Sequence, residues 1–295
     1  MSAGEAEVVE LDDATLRAWP LPLPERDGDK EERGRVLVVA GCRQIIGAAV
    51  LAATAALRAG AGKVAIATPE SIARSIGTAV PESRVFALPE RDDGSIEPDC
   101  MDVLEEIAPH VKSVLIGPGL PYVDATRDLA AALLETFAHA GVVLDAGAMG
   151  VVKARGRFAS PVLLTPHAGE MASLEGREKD EIESDPIAAA VDASGRWNAV
   201  VALKGAITHI ATPDTRVWRN SAGNPGLATS GSGDVLSGVI AGLLARGAPL
   251  EQAAAWGVAL HARAGDRLAA RIGPFGYLAR ELPGEVPALM AMLQC

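Results

Sequence analysis

The residues best equipped for chemistry lie in one run, Gly223-Asn224-Pro225-Gly226-Leu227-Ala228-Thr229-Ser230-Gly231-Ser232-Gly233-Asp234. Val235, Leu236, Val239, Ile240, Leu243 and Leu244 follow with helical spacing, and Gly247 and Pro249 end the pattern. Gly231 and Gly233 therefore fall just before or inside the first turn of a helix. Amides at that end have no intrahelical acceptor, and with the helix dipole they favour an anion such as phosphate. Glycine lets the anion come close to the backbone. Gly231, Ser232 and Gly233 are the candidate anion hole. A carboxylate beside a phosphate binds it poorly, but it is well placed to act as a base. Asp234 could take the proton of a substrate hydroxyl while the amides stabilise a transferring phosphoryl group. A second reading stands beside this one, in which Asp234 merely complements the helix dipole. The glycine density upstream favours the first. No G-K-[ST] follows, so the run is not a P-loop. Gly60-Ala61-Gly62 follows a helix and precedes a strand, the reverse of the dinucleotide-binding order, and reads as a helix C-cap turn.

Other candidates stand where apolar runs end. Lys204, at a strand's carboxyl end, could reach a phosphate, with Gly205 permitting close approach; it could equally cap carbonyls at the sheet edge. His167 follows a strand end and Pro166, so it faces the ligand edge, where its imidazole could touch substrate or serve structure. Glu170 could organise Mg²⁺ through water, since that ion prefers oxygen ligands and keeps several waters. It could also be a solvated residue of a helix's first turn. Asp145 reads as a helix N-cap in preference to a site acid. Asn224, Ala48 and Gly119 read, on residue type alone, as a turn residue, a helix-packing residue and a turn residue. His261 and Asp266 lie on an expected helix and read as supporting groups.

The elements that must position these groups alternate. Strands are expected at Val36–Ala40, Val64–Thr68, Val114–Gly117, Val142–Asp145, Val162–Thr165 and Val200–Lys204. These runs are nearly unbroken in Val, Ile and Leu, as in strands buried on both faces of a parallel sheet. Helices are expected at Gly47–Ala59, Thr126–Ala140, Pro186–Arg196, Asp234–Arg246 and Leu250–Ile272. Ile207–Thr212 and Thr215–Arg219 flank Pro213-Asp214 as a hairpin. The alternation predicts a three-layer α/β/α domain around a doubly wound, mostly parallel sheet. Ligands of such sheets bind beyond the carboxyl ends of the strands, where all these candidates fall. Residues 1–33, polar and charged with Pro20, Pro22 and Pro24 alternating with Trp19, Leu21 and Leu23, read as an extended arm packed on the body or on a neighbouring subunit. Residues 34–295 read as one catalytic domain.

Composition narrows the function. The 295 residues carry 27 Lys and Arg against 38 Asp and Glu, a net charge of −11. That balance argues against a nucleic-acid or anionic-membrane partner, while one nest of amides can still hold a nucleotide phosphate. Cys42, Cys100 and Cys295 are far apart and form no C-x-x-C pair, so neither a disulfide framework nor a structural zinc site is expected. The acidic start, MSAGEAEVVELDD, has no apolar core segment, and no uncharged apolar run reaches about 18 residues. A cytoplasmic enzyme is the expectation.

The string Gly231–Asp234, GSGD, resembles the anion-hole and base motif of ribokinase-like kinases, and the longer Gly223–Gly238, GNPGLATSGSGDVLSG, resembles the NAD(P)H-hydrate dehydratase branch of that superfamily. Gly47–Val64, Gly117–Leu120, Leu163–Met171 (LLTPHAGEM) and Ala259–Asp266 (ALHARAGD) agree in order, so the resemblance runs from about residue 30 to the end. His167 stands where sugar and vitamin kinases carry an Asn, and Glu170 keeps their acidic position. The resemblance implies a hydro-lyase that repairs hydrated NADH or NADPH at the expense of ADP or ATP, with Mg²⁺. It implies Asp234 as base and Lys204, Gly205, Ala206, Ile207, Thr208 and Gly233 as the nucleotide site. It places Ala48, Gly119, His167, Asn224 and Asp234 about the hydrated nicotinamide, and Glu170 on the metal through water. It also implies a homo-oligomer, with a tetramer favoured. The free-standing form, without an epimerase domain, favours ADP. The sequence departs from the branch at Gly41–Gly47, at Gly147 in Leu144-Asp145-Ala146-Gly147, and at Ile207, all around the presumed pocket. A small-molecule kinase of the same fold and a nucleotide-binding protein without turnover are the competing readings.

Overall fold

A computed structural model describes residues 7–23 and 33–294. Pro24 and the rest of the proline-rich arm beyond Leu23, like Cys295, lie outside the described residues. One ten-stranded sheet runs through the molecule. Its strands are β1 (Val8–Glu10), β2 (Arg35–Val39), β3 (Lys63–Pro69), β4 (Ser83–Leu88), β5 (Val111–Ile116), β6 (Gly141–Leu144), β7 (Val162–Leu164), β8 (Ala199–Leu203), β9 (Thr208–Ala211) and β10 (Val217–Asn220). Their spatial order is β1-β10-β9-β8-β7-β6-β5-β2-β3-β4. All neighbours from β8 to β4 pair parallel, while β9 runs antiparallel to both β8 and β10. The helices are α1 (Asp13–Ala18), α2 (Ile46–Arg58), α3 (Glu70–Ala79), α4 (Asp124–Thr136), α5 (Val151–Arg155), α6 (Ala168–Glu175), α7 (Lys179–Ser184), α8 (Pro186–Trp197), α9 (Ser232–Ala245), α10 (Leu250–Ile272) and α11 (Leu282–Leu293). Two separate apolar clusters, one on each face of the sheet, make the three-layer α/β/α architecture. Among the described residues no helix is long and apolar enough to cross a membrane.

The six expected parallel strands are all present. β1 and β4 were not expected. β1 has only three residues, and β4 alternates buried with exposed positions at the sheet's edge, so neither shows the unbroken apolar run of a central strand. The arm is also less extended than expected. β1 pairs with β10, α1 follows it, and Leu11, Leu16 and Leu21 are buried in the body of the same chain. Trp19 stacks on Trp218 at 5.4 Å, and its carbonyl accepts from Trp256 Nε1 at 2.8 Å. Leu11, Leu16, Trp19 and Leu21 are thus packed within the chain, whereas Leu23 is exposed.

The chain leaves β2 towards β3 and β4 on one side and, from β5 onwards, towards β8 on the other, although β2 and β5 are neighbours. The loops after β2 and β5 therefore open a crevice at the point where the strand order reverses. Helix α9 is seated behind that crevice, against α2, by two small residues. A Cβ on Gly238 would lie 2.3 Å from the Ala52 carbonyl oxygen, and one on Gly242 would lie 2.5 Å from that of Ala56. The Ala-rich face of α2 (Ala48, Ala49, Ala52, Ala53, Ala55 and Ala56, all buried) completes the contact. Gly238→Val is expected to force the helices apart and cost about 1–3 kcal/mol, read as a lowered Tm in thermal unfolding.

Candidate functional site

Gly231 is the N-cap of α9, at φ +87°, a left-handed conformation that residues with a Cβ rarely adopt. This turn aims the start of a 14-residue helix at the crevice. The N–H groups of Gly233 and Asp234 have no acceptor among the described residues. The Ser232 N–H, in contrast, bonds the Thr229 carbonyl at 3.2 Å. Its hydroxyl shares a 3.0 Å hydrogen bond with His261 Nε2. Within the expected anion hole, Ser232 thus braces the turn, and the amides without an acceptor among the described residues are those of Gly231, Gly233 and Asp234.

Helix α10 holds this loop from below. Burial drives the His261 imidazole down to about 4, so it is neutral and serves only as a hydrogen-bonding support for Ser232. Asp266 accepts from the Gly223 amide at 3.0 Å and from Asn224 Nδ2 at 3.0 Å. Asn224 Oδ1 accepts from the Gly226 amide and from Tyr277. Asn224 is therefore spent largely on shaping its own loop, and His261 and Asp266 are the supporting groups expected.

Opposite α9, the carboxyl ends of β6, β7 and β8 bring Asp145, the His167–Glu170 turn and Lys204 together. The Lys204 amide donates to the Pro166 carbonyl at 2.8 Å, and a single bridge pairs Lys204 with His167 beyond the regular strands. Lys204 Nζ lies 3.6 Å from Asp145 Oδ1 and 3.8 Å from Glu170 Oε2. A Cβ on Gly233 would be 3.6 Å from the same Nζ, so the ammonium group faces the start of α9. Asp145 is only 3% exposed. It occupies the N-cap position of a short 3₁₀ turn, yet its side chain makes no capping bond. It accepts instead from Thr165 Oγ1 at 2.9 Å. The favoured N-cap reading of Asp145 is thereby overturned, because the carboxylate is turned towards Lys204.

His167 caps α6. Its Nδ1 accepts from the amides of Gly169 and Glu170, at 3.1 and 3.2 Å, while Glu170 Oε2 accepts from the His167 amide at 2.9 Å. This reciprocal capping box fixes the imidazole, with Nε2 3.5 Å from Glu170 Oε2. Glu170 is no solvated surface acid, since its other oxygen accepts from the Tyr122 hydroxyl at 2.9 Å. Tyr122, which sequence reasoning passed over, is the added member of the cluster. Gly205, Ala206 and Ile207 form the exposed turn between β8 and β9.

Across the crevice, the Gly41 amide donates to the Pro118 carbonyl at 2.8 Å, joining the two loops. Gly117, at φ +131°, crosses so close to β6 that a Cβ would overlap the Asp145 carbonyl oxygen at 1.8 Å. Gly119 rests on Ala48, where a Cβ would be 2.7 Å from that of Ala48. The structure thus brings Ala48 and Gly119 together as one small-residue floor. Arg43 in the first loop bonds Glu90, which in turn accepts from Ser71.

The electrostatics single out Asp234. Desolvation first, and then the neighbouring Asp145 carboxylate, push its carboxyl up to about 7, while Lys204 pulls it down. A carboxyl balanced near neutrality can accept a proton and give it up, as a general base must. The first turn of α9 therefore combines free amides, a facing ammonium group and a base.

A profile of the NAD(P)H-hydrate dehydratase family matches residues 36–288. The chain belongs to that family. It is 45% identical to the ADP-dependent (S)-NAD(P)H-hydrate dehydratase of Xanthomonas campestris pv. campestris, over 95% of both chains. It is 41% identical to the bifunctional NAD(P)H-hydrate repair enzyme of Moorella thermoacetica, over 94% of this chain but only 53% of that one, so it spans about half of the bifunctional relative. Among solved structures, the ADP/ATP-dependent NAD(P)H-hydrate dehydratase of Bacillus subtilis, co-crystallised with ATP/Mg²⁺, superposes with a TM-score of 0.83 at 29% identity. That match covers 98% of this family member and 100% of the Bacillus chain. The ribokinase-like superfamily assignment holds as well: a ribokinase-like protein of Enterococcus faecalis matches at a TM-score of 0.84 and 25% identity.

Proposed function

We propose that the protein is a nucleotide-dependent hydro-lyase that returns (S)-NADH or (S)-NADPH hydrate to the reduced cofactor, with ADP as the preferred phosphate donor. The observation that carries this reading is Asp234, a carboxyl poised at about 7 beside the unpaired amides of an α9 start. The preference for ADP follows the Xanthomonas relative, which is named for that nucleotide.

Asp234 takes the proton of the hydroxyl on the hydrated ring, and the oxygen attacks the terminal phosphorus of ADP, breaking its bond to AMP. The Gly233 and Asp234 amides and the Lys204 ammonium group hold the charge on the transferring phosphoryl oxygens. The ring nitrogen's lone pair then expels phosphate, and loss of a proton from the adjacent ring carbon restores the dihydronicotinamide. Each turnover converts one hydrate and one ADP into one reduced cofactor, AMP and phosphate. Ala48, Gly119 and His167 are assigned to the nicotinamide end. The turn Lys204-Gly205-Ala206-Ile207-Thr208 is the place for the nucleotide.

Among the described residues no set of three His, Cys, Asp or Glu side chains is arranged to hold a metal. Glu170 would be the residue to hold Mg²⁺, through water, since that ion prefers oxygen ligands and keeps several waters. When bound, that ion supplies further charge neutralisation at the phosphates. A soluble homo-oligomer in the cytoplasm completes the reading.

The test is to mix the protein with Mg²⁺, (S)-NADPH hydrate and either ADP or ATP, and to follow the reduced-nicotinamide absorbance. Nucleotide-dependent recovery supports the reading. A stable phosphorylated product would instead make the protein a kinase. Asp145→Asn adds a finer check. Removing that carboxylate removes a cause of Asp234's raised pKa, so the acid limb of the pH–rate profile should move to lower pH.

A further inference from the structure

The exposed Tyr122 is unaccounted for by the chemistry above. The residue is 71% exposed, yet its hydroxyl is desolvated beside Glu170, to which it donates at 2.9 Å. Desolvation first, and then the charges of Glu170, Asp145 and Asp234, push that phenol's pKa up, so the hydroxyl lies beside the acidic cluster. Two features fix the turn that carries it. Gly119, three residues earlier, sits on Ala48. Gly147 admits the Pro121 carbonyl so closely that a Cβ there would be 2.6 Å from its oxygen. The exposed side chain is thus carried on the turn that Gly119 begins, with the backbone seated at both points and the hydroxyl tied to Glu170. A large ring kept exposed and pinned at its tip is a surface built for contact, since an unused Tyr loses rotamer freedom without burying its face.

We propose that Tyr122 is a positioning residue whose ring forms a wall for the nicotinamide end of the hydrated cofactor, while its hydroxyl keeps Glu170 in the capping box. This inference rests on the dehydratase reading. The two functions separate by substitution. Tyr122→Phe keeps the ring and releases Glu170; Tyr122→Ala removes both. Because the side chain is exposed, neither change empties the core.

The experiment measures steady-state kinetics and, independently, calorimetric binding of (S)-NADPH hydrate to the wild type and both variants. Tyr122→Ala is expected to raise the KM and the Kd for the hydrate about tenfold, with the KM for ADP within about twofold of wild type. Tyr122→Phe is expected to keep the hydrate Kd near the wild-type value. An unchanged hydrate Kd in Tyr122→Ala, in an active wild-type background, overturns the inference and leaves the dehydratase reading intact. A weakened ADP affinity with unchanged hydrate affinity also overturns it, by placing Tyr122 on the nucleotide side. A wild type that neither binds nor converts the hydrate brings down both.

Discussion

The Asp234→Asn protein is expected to lose about 100- to 10,000-fold in kcat, the range supplied by a positioned general base. The amide is nearly the same size as the carboxyl, so the first turn of α9 and its free N–H groups stay in place. What disappears is the acceptor for the substrate proton, at a position where desolvation and Asp145 hold the carboxyl near 7. The same geometry predicts a second result in the opposite direction. A carboxylate beside a phosphate repels it, so the Kd for ADP should be unchanged or lower in the variant. Loss of turnover with retained nucleotide binding separates a base from a residue that only stabilises its helix. If Asp234 merely complemented the dipole, its loss would lower Tm and leave kcat near the wild-type value. In the wild type, rates should rise with pH as Asp234 deprotonates, with the acid limb centred near 7.

Lys204→Met carries the second large effect. Lys204 is the cation that faces the start of α9, within 3.8 Å of both Asp145 and Glu170. Its removal takes a charge-assisted contact from the transferring phosphoryl group, and the KM for ADP should rise on the order of 10- to 100-fold. It also removes the positive charge that lowers the Asp234 pKa. The acid limb should therefore move to higher pH, opposite to the shift in Asp145→Asn. Two substitutions on one ion pair that displace the profile in opposite senses would locate the titrating group at Asp234. Shifts of the same sign would place it elsewhere.

Much of this site was legible in the residues because its parts follow strong local rules. Gly231 and Gly233 at the head of an apolar helical stripe announced an anion site, and the parallel strands announced themselves as unbroken Val, Ile and Leu runs. The strand ends then put Lys204, His167 and Asp234 on one edge. What was not legible depended on contacts distant in sequence. Asp145 has the residue type and setting of an N-cap, and only the Thr165 hydroxyl and Lys204, 20 and 59 residues away, show that its carboxylate is turned into the site. Ser232 read as an anion donor until its amide was seen bonded to Thr229 and its hydroxyl to His261. Asn224 reads as a turn residue on its type alone, and Asp266 and Tyr277 occupy most of its amide, whereas only the family resemblance puts it on the substrate. Tyr122 had no signal beyond standing three residues after Gly119. The substitution at Gly147, which stood out only as a departure from the family pattern, gains a physical reason in the close approach of Pro121.

The most direct test of the central claim is stoichiometry. With the wild-type protein, Mg²⁺, ADP and (S)-NADPH hydrate, the NADPH regained and the inorganic phosphate and AMP released are measured in the same sample. The account predicts equal amounts of all three, with none formed by Asp234→Asn. Nucleotide consumed without recovery of NADPH, or NADPH recovered without consumption of nucleotide, would contradict it.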